Sequence, residues 1–459
     1  MAQANLRRPI SPPVILAATM GVAILTGTVL LRLPVAHEGT PIGWLDALFT
    51  ATSAVCVTGL IVVDTGTQFS FFGELVILIL IQIGGLGIMT IGTTVLLALG
   101  GQPRTAVLRH WLTSFAGHKE TIRPRDILLT VLLTTFIAEA IGAAILFFPI
   151  LRSYPMDQAL WLAIFHSVSA FCNAGFSLWS DSLTRFSSDP TVNLTVMTLI
   201  ILGGVGFIVL LESRSWIASR LKPVGTRTRL SLHSKIVLTG SAVAILSGAV
   251  LLMFLESANV LADRSWDERL LIVAFQSVTA RTAGFNTVDI ATLSNPTLLV
   301  LIALMFVGGG SGSMAGGIKL TTAVTVAAVV TQRLRGNREV HLFGRSIGQA
   351  TIQRSFVLSV VATVIIAVVI CFVEIVRRNG PPGAADRGEF LAVIFEVVSG
   401  FGTVGLSMGI TSDLQPLAEG AMVLLMFIGR VGPLLLMDFF ARLPPPPPLR
   451  HATEELMIG

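Results

Sequence analysis

The sequence predicts an all-α membrane protein of four tandem helix–half-helix–helix repeats, and composition, apolar run length and a recurring glycine turn carry that prediction. Of its 459 residues, 53% are hydrophobic and only 12% charged, and its mean hydropathy is +0.82. Charged residues make up roughly 25% of a soluble globular domain, so a soluble fold is excluded. Eight apolar runs approach or exceed the roughly 20 residues that cross a bilayer as helix. A Phe-x-x-x-(Ser/Thr) segment that runs into a glycine and a large apolar residue recurs four times, at Phe49 to Gly59-Leu60, Phe165 to Gly175-Phe176, Phe275 to Gly284-Phe285 and Phe395 to Gly405-Leu406. These glycines stand 116, 109 and 121 residues apart, so one unit of nearly constant length is written four times.

Repeat 1 covers residues 1–100, with spans at 14–31 and 75–99 on either side of a shorter apolar piece at 45–55. Its first span leads straight into the repeat with no small-residue cleavage pattern, so it is not read as a removable signal. Repeat 2, residues 101–222, opens with a basic loop and places spans at 127–151 and 195–211 around a piece at 160–170. Repeat 3, residues 223–340, has a span at 236–255, a piece at 270–280 and an apolar run at 298–330 that glycines interrupt. Repeat 4, residues 341–443, repeats the order at 356–376, 390–400 and 421–440. Prolines 444–448 end the last helix and stiffen a short tail over 444–459. The three cysteines, Cys56, Cys172 and Cys371, lie in apolar or repeat segments, which supports neither a disulfide framework nor a cysteine metal site.

Basic residues set the orientation. Arg7 and Arg8 precede the first span, and Arg104, Arg109, Lys119, Arg123 and Arg125 fill the loop after repeat 1. Arg214, Arg220, Lys222, Arg227, Arg229 and Lys235 follow repeat 2, and Arg333, Arg335, Arg338, Arg345 and Arg354 follow repeat 3. By the positive-inside rule these loops and both termini are cytoplasmic. The net charge of +5 and a pI near 9.6 are then consequences of topology, with no nucleic-acid partner implied.

Each short apolar piece has half the length of a spanning helix and ends at a glycine turn, which reads as a half-helix dipping in from outside followed by an extended return. Irregular backbone is tolerated at membrane depth only where protein buries it or water reaches it, so four such turns converge on one aqueous axis. The predicted architecture is therefore eight transmembrane helices and four pore half-helices with pseudo-fourfold symmetry around a central pore. A dehydrated monovalent cation needs its water replaced by oxygens, and backbone carbonyls do this when glycine allows positive φ at intervals. The predicted lining is Val57-Thr58-Gly59, Asn173-Ala174-Gly175, Thr282-Ala283-Gly284 and Thr403-Val404-Gly405. The half-helix C-termini add partial negative charge that favours a cation. Asp64, Asp181, Asp289 and Asp413 follow the turns, either drawing cations to the outer mouth or serving as solvated loop residues.

These residues resemble the bacterial Trk/Ktr/HKT potassium transporters, from the first span to about Arg442. With no extra pair of leading spans, the chain looks more like the Ktr-type membrane subunit than the longer Trk form. In that family a glycine at the selectivity position of all four repeats goes with potassium preference, and a serine in the first goes with sodium permeation. Here the four are Gly59, Gly175, Gly284 and Gly405. Repeat 3 is one residue shorter between Phe and Gly and places Arg281 at the foot of the filter, where the family also has an arginine. The resemblance further implies a bacterial cytoplasmic-membrane protein that forms homodimers and docks a soluble, nucleotide-binding regulatory ring of the KtrA/TrkA kind. Its implied ions are potassium in the filter and sodium as a candidate activator, with no covalent cofactor.

Glycines also cluster in the second spans, at Gly84-Gly85-Leu86-Gly87, Gly203-Gly204-Val205-Gly206, Gly308-Gly309-Gly310-Ser311-Gly312 and Gly429-Arg430-Val431-Gly432. Close helix packing is the expected role of the first two. The third cannot stay helical, because each internal glycine costs ~1 kcal/mol relative to alanine. The segment from Gly308 through Ser313, Gly316 and Gly317 to Lys319 is expected to be a loop under the filter, and the resemblance implies that it is the gate. Arg430 sits in an apolar span, where a charge costs at least ~2.5–3.5 kcal/mol without water or a partner. It is expected to point toward the loop and donate to its carbonyls as a positive barrier, the alternative being a buried ion pair or a carbonyl clamp between helices. Lys319 either snorkels to the interface or contacts the gate. Glu139 is either an ion-coupling group or, more commonly for such a residue, a helix-to-helix hydrogen-bonding partner.

The seven histidines form no HExxH, and the glycine clusters neither follow strands nor end in Gly-Lys-(Ser/Thr), so no enzyme or nucleotide site is predicted on this chain. Two functions fit: potassium uptake through a single-chain pore, or secondary transport of another small solute at broken helices. Repeats that each begin and end inside favour rotational symmetry, and hence the pore.

Overall fold

The computed structural model describes residues 12–98, 124–220, 229–337, 339–377 and 384–442. Arg7, Arg8, Arg104, Arg109, Lys119, Arg123, Lys222, Arg227, Arg338 and the prolines 444–448 lie outside the described residues. Repeat 1 comprises α1 (Pro12–Arg32), α2 (Trp44–Val55) and α3 (Phe71–Ala98). Repeat 2 comprises α4 (Pro124–Leu151), α5 (Met156–Phe171), α6 (Pro190–Val205) and α7 (Phe207–Arg220). Repeat 3 has α8 (Leu232–Leu255), α9 (Trp266–Thr279), α10 (Asn295–Phe306) and α11 (Leu320–Leu334). A two-stranded hairpin, β1 (His341–Leu342) and β2 (Arg345–Ser346), leads to α12 (Gln349–Arg377), α13 (Ala384–Gly402) and α14 (Pro416–Arg442).

Among the described residues, α1, α4, α8, α12 and α14 are each long and apolar enough to cross a membrane, and α6 with α7 makes a sixth span if the bent pair is taken as one. The helices of this set carry large apolar side chains outward, including Phe148, Val250 and Phe254, as a bilayer-facing surface requires. The half-helices α2, α5, α9 and α13 are the buried elements, and Phe49, Phe165, Phe275 and Phe395 are completely enclosed. In the first three repeats a glycine of the first helix lies against the half-helix: Gly27 near Ala51, Gly142 against Ser167 and Gly248 against Ser277. The second helices lean forward, α3 on α5, α6 on α9 and α10 on α13, and α14 packs back on α2.

The second-span glycines divide their labour. A Cβ on Gly84, Gly203 or Gly429 would strike the carbonyl oxygen of Val55, Phe171 or Phe401, at or next to the C-terminal residue of α2, α5 or α13. Those three glycines let a second helix touch the backbone of a short buried helix, the packing role expected of the first two clusters. The span expected to run through 195–211, however, is broken. Gly206 has φ +92, and α6 and α7 meet there at 102°. The break leaves the carbonyls of Gly203 and Gly204 without helical partners, because the amides that would close those turns lie beyond Gly206.

The segment after α10 supplies the missing donors. Met314 N donates to Gly203 O at 3.1 Å, and Gly310 N donates to Gly204 O at 2.9 Å. A third acceptor comes from α14, where Pro433 has no N–H to offer the carbonyl four residues earlier. That carbonyl, Gly429 O, accepts from Gly317 N at 3.3 Å. The breaks in repeats 2 and 3 are thus one feature, in which irregular backbone at membrane depth satisfies irregular backbone.

The packing glycines make a prediction. Gly203→Ala forces a methyl into the Phe171 carbonyl and should destabilise the protein by about 1–3 kcal/mol. Gly21→Ala, with nothing within 4 Å, should leave the detergent-solubilised melting temperature unchanged or raised; equal midpoints for the two variants would refute the packing role.

Candidate functional site

Each half-helix ends in the same backbone conformation. Val57, Asn173, Thr282 and Thr403 are left-handed, with φ of 56, 59, 74 and 49, and two residues on Gly59, Gly175, Gly284 and Gly405 have φ of 89, 71, 82 and 93. Glycine was expected to supply the positive φ, yet half of these left-handed residues are not glycine. Three of those four are β-branched, for which such backbone is an outlier costing of order 1–3 kcal/mol.

Hydroxyls hold the strained turns. Ser53 Oγ donates to Leu60 O at 2.7 Å, Ser169 Oγ to Phe176 O at 2.8 Å and Thr279 Oγ1 to Phe285 O at 2.6 Å. Ser53 Oγ also accepts from Gly59 N at 3.0 Å, and Ser399 Oγ accepts from Gly405 N at 3.1 Å. The motif hydroxyl therefore clips the return strand to the helix that precedes it. This role was not read from the sequence, although the constant Phe-to-hydroxyl spacing was its signal. The missing residue of repeat 3 is absorbed in the turn: Ala283 N closes on Thr279 O, four residues back, where Thr58 N closes on Ser53 O, five back. Thr282 and Gly284 keep the shared conformation.

The return strands meet in a ring. A Cβ on Gly59 would lie 3.0 Å from Gly175 Cα, one on Gly175 3.0 Å from Gly284 Cα, one on Gly284 3.2 Å from Gly405 Cα and one on Gly405 3.0 Å from Gly59 Cα. The same four methyls would also collide with Ala174 O, Ala283 O, Val404 O and Thr58 O in that order. The side chains of Val57, Thr58, Asn173, Ala174, Thr282, Ala283, Thr403 and Val404 are packed into protein; Asn173 and Thr282 meet through their side chains at 3.5 Å, and at the four glycines the contact is backbone to backbone. Neutral carbonyls gathered this way are the donor set that substitutes for the hydration shell of a monovalent cation. Among the described residues no cluster of His, Cys, Asp and Glu could hold a metal ion.

Beside this ring runs the segment from Gly308 to Lys319, non-helical as expected. A Cβ on Gly316 would strike the Thr403 side chain, so the segment passes against one of the four turns. Gly309 and Gly310 lie against Gly204 O and Val205 O, and Gly312 against Gly206. Ser311 Oγ meets Thr321 Oγ1 at 2.9 Å, and Ser313 Oγ donates to Gly310 O at 2.6 Å. Arg430, 2% exposed, donates through one terminal nitrogen to Met314 O and through the other to Gly84 O at 3.1 Å. It thus reaches a loop carbonyl and a carbonyl of α3 together, and it is in no ion pair among the described residues. Arg281 Nη2 donates to Gly308 O at 3.4 Å. Lys319 turns inward and donates to Ala315 O.

Glu139 accepts from Gln82 Nε2 of α3 at 3.1 and 3.2 Å and lies beside Cys172 Sγ, which makes it a helix-to-helix partner. The outer aspartates are local turn formers. Asp64 accepts from Thr67 N at 3.0 Å, Asp289 from Ala291 N at 3.0 Å, and Asp413 sits exposed in a short turn. Partial burial opposes ionisation of Asp181, but hydrogen bonds from Arg185 and Thr184 outweigh it and hold its carboxyl below the usual range.

Residues 11–447 match the family model described as TrkH, cation transport protein. The chain is 40% identical to Ktr system potassium uptake protein B of Bacillus subtilis over 94% of its own length and 93% of the relative's. It is 36% identical to the protein of the same name from Vibrio alginolyticus, covering 98% and 95% of the two chains. Its fold matches the crystal structure of the potassium transporter TrkH from Vibrio parahaemolyticus with a TM-score of 0.72 at 16% identity, over 95% of this chain and 86% of that one. A helical, multi-pass membrane architecture, a ring of glycine turns and a match over nearly the whole length agree: the chain belongs to the TrkH family of cation transport proteins, and it is a transporter rather than an enzyme.

Proposed function

We propose that this protein takes up potassium through a single-chain pore in which the four repeats stand with pseudo-fourfold symmetry and eight spanning segments around one axis. The observation that carries the reading is the closed circle of Gly59, Gly175, Gly284 and Gly405, each against the next strand's carbonyl. In this reading Val57-Thr58-Gly59, Asn173-Ala174-Gly175, Thr282-Ala283-Gly284 and Thr403-Val404-Gly405 coordinate the ion, and the names of the 40% and 36% identical relatives support potassium as that ion. The loop through Gly308–Gly317, with Lys319 and Arg430, is the gate. It lies across the path below Thr403 and is held there by backbone hydrogen bonds and an arginine latch that exchange readily for water.

The basic loops support cytoplasmic termini in a bacterial inner membrane. They also support a docking face for a separate nucleotide-binding ring, and the word "system" in the relatives' names agrees with more than one component. A homodimer and stimulation by sodium complete the proposal. Secondary transport of another solute fits less well. The carbonyls freed at the broken helices, which a carrier would turn to its substrate, already accept from Met314 N, Gly310 N and Gly317 N.

Cation flux in liposomes holding the full-length protein, with potassium or sodium as the sole permeant ion, tests the filter. Gly59→Ser should lower discrimination between the two ions by about tenfold, the equivalent of about 1.4 kcal/mol; an unchanged ratio would sink the filter assignment. Arg430→Gln leaves Gly84 O and Met314 O without their charged donor and should raise basal potassium flux several-fold. A folded Arg430→Gln protein with the original flux would remove the latch.

A further inference from the structure

The residue after each motif phenylalanine differs in every repeat: Thr50, His166, Gln276 and Glu396. All four are buried, yet only two are engaged, and they are engaged in the same way. His166 Nδ1 donates to Leu162 O at 2.7 Å, which makes Nε2 the acceptor, and Nε2 faces Ser177 Oγ at 3.0 Å and Leu178 N at 3.3 Å. Glu396 Oε1 accepts from Ser407 Oγ and from Met408 N at 3.0 Å, while Oε2 accepts from Thr411 Oγ1 at 3.0 Å. In both repeats the amide two residues after the serine donates back to that hydroxyl: Trp179 N to Ser177 Oγ at 3.0 Å, and Gly409 N to Ser407 Oγ at 2.8 Å. Ser177 and Ser407 stand at matching positions, two residues beyond the filter glycines Gly175 and Gly405.

Repeats 1 and 3 lack this brace. Among the described residues Thr50 Oγ1 and both amide atoms of Gln276 have no hydrogen-bond partner, and the matching outer residues are Ile61 and Asn286. Asn286 is held from outside its own repeat, by Ser182 Oγ at 3.2 Å and by Leu183 N at 3.0 Å. Because the ring runs Gly59, Gly175, Gly284, Gly405, the two braced strands lie diagonally opposite.

We infer that His166 and Glu396 are positioning residues for ion discrimination, each fixing the outer end of one of two opposed filter strands from the pore helix behind it. The inference rests on the filter reading above. A carbonyl cage discriminates between alkali ions through the number and placement of its oxygens, and two strands anchored at both ends by their own pore helix keep that placement, where the strand of repeat 1 has its motif hydroxyl and the strand of repeat 3 is held at its outer end by the neighbouring repeat.

The test is the potassium-to-sodium flux ratio of the full chain in liposomes, with melting temperature measured alongside. Glu396→Ala and His166→Ala should each lower discrimination about fivefold, the scale of one lost hydrogen bond, while potassium flux persists. Glu396→Gln and His166→Gln keep an acceptor and should restore most of it, and Thr50→Val and Gln276→Met should leave the ratio unaltered. If the alanine variants do not fold, Ser407→Ala and Ser177→Ala remove only the braced hydroxyl and should shift the ratio in the same direction. Conducting variants with the original ratio overturn the brace, provided that Gly59→Ser changes the ratio; if Gly59→Ser is also silent, the filter reading falls with it. Equal losses at Thr50 or Gln276 would equally overturn it, since those side chains brace no strand among the described residues.

Discussion

Four stretches of extended backbone approach one another so closely that no side chain fits between them, and this contact constrains the rest of the molecule. At each glycine a Cβ would collide with the next strand's carbonyl, and the positive φ there would strain any other residue. Strands that meet through bare backbone must be delivered by elements ending at the same depth, which fixes the C-termini of α2, α5, α9 and α13. Those elements need firm seating, and the enclosed phenylalanines supply it by burial while the hydroxyls supply it by hydrogen bonding. Strain at Val57, Asn173, Thr282 and Thr403 is sustainable only because the turn is held from both sides.

The lower half obeys a second rule, that backbone polar groups in a membrane interior must be paired within the protein. Gly206 and Pro433 free three carbonyls, and the segment after α10 spends three of its amides on them. Moving that segment therefore exposes acceptors on two other elements at once. Displacement of single residues is disfavoured by the cost of each unpaired group, about 1–3 kcal/mol in proteins, unless water enters as the segment leaves. An open state of such a loop is necessarily a wet one.

Much of this was legible in the sequence. The four turn glycines, the half-length helices and the interruption after Phe306 announce themselves because glycine and run length are strong local signals. The left-handed Thr282 and Thr403 were not readable, since nothing local favours that conformation for threonine; it is imposed by the clip and the neighbouring strands. The break at Gly206 was hidden by an apolar context, where a Gly-Gly-x-Gly cluster serves helix packing and helix breaking equally well. Here Gly203 does the first and Gly206 the second. The fate of Glu139 was equally undetermined, because its partner Gln82 is 57 residues away and no spacing rule relates them.

Charge beside the ring of glycine turns is handled with dipoles instead of counter-charges. Arg430 and Arg281 are almost fully buried, and neither is in an ion pair among the described residues; both donate to carbonyl oxygens of the loop and its surroundings. A carboxylate partner would bind more tightly, but taking one member of a buried ion pair away leaves the other uncompensated, at a cost of about 3–5 kcal/mol. A carbonyl is neutral, so if the loop withdraws as proposed, the acceptor rejoins water at modest cost and the guanidinium is hydrated in the same step. Under the proposed gating, this chemistry makes the latch strong enough to hold a loop and weak enough to release it. Under the same proposal a positive group stays beside the loop while the loop is in place, and water arriving as the loop leaves would screen it.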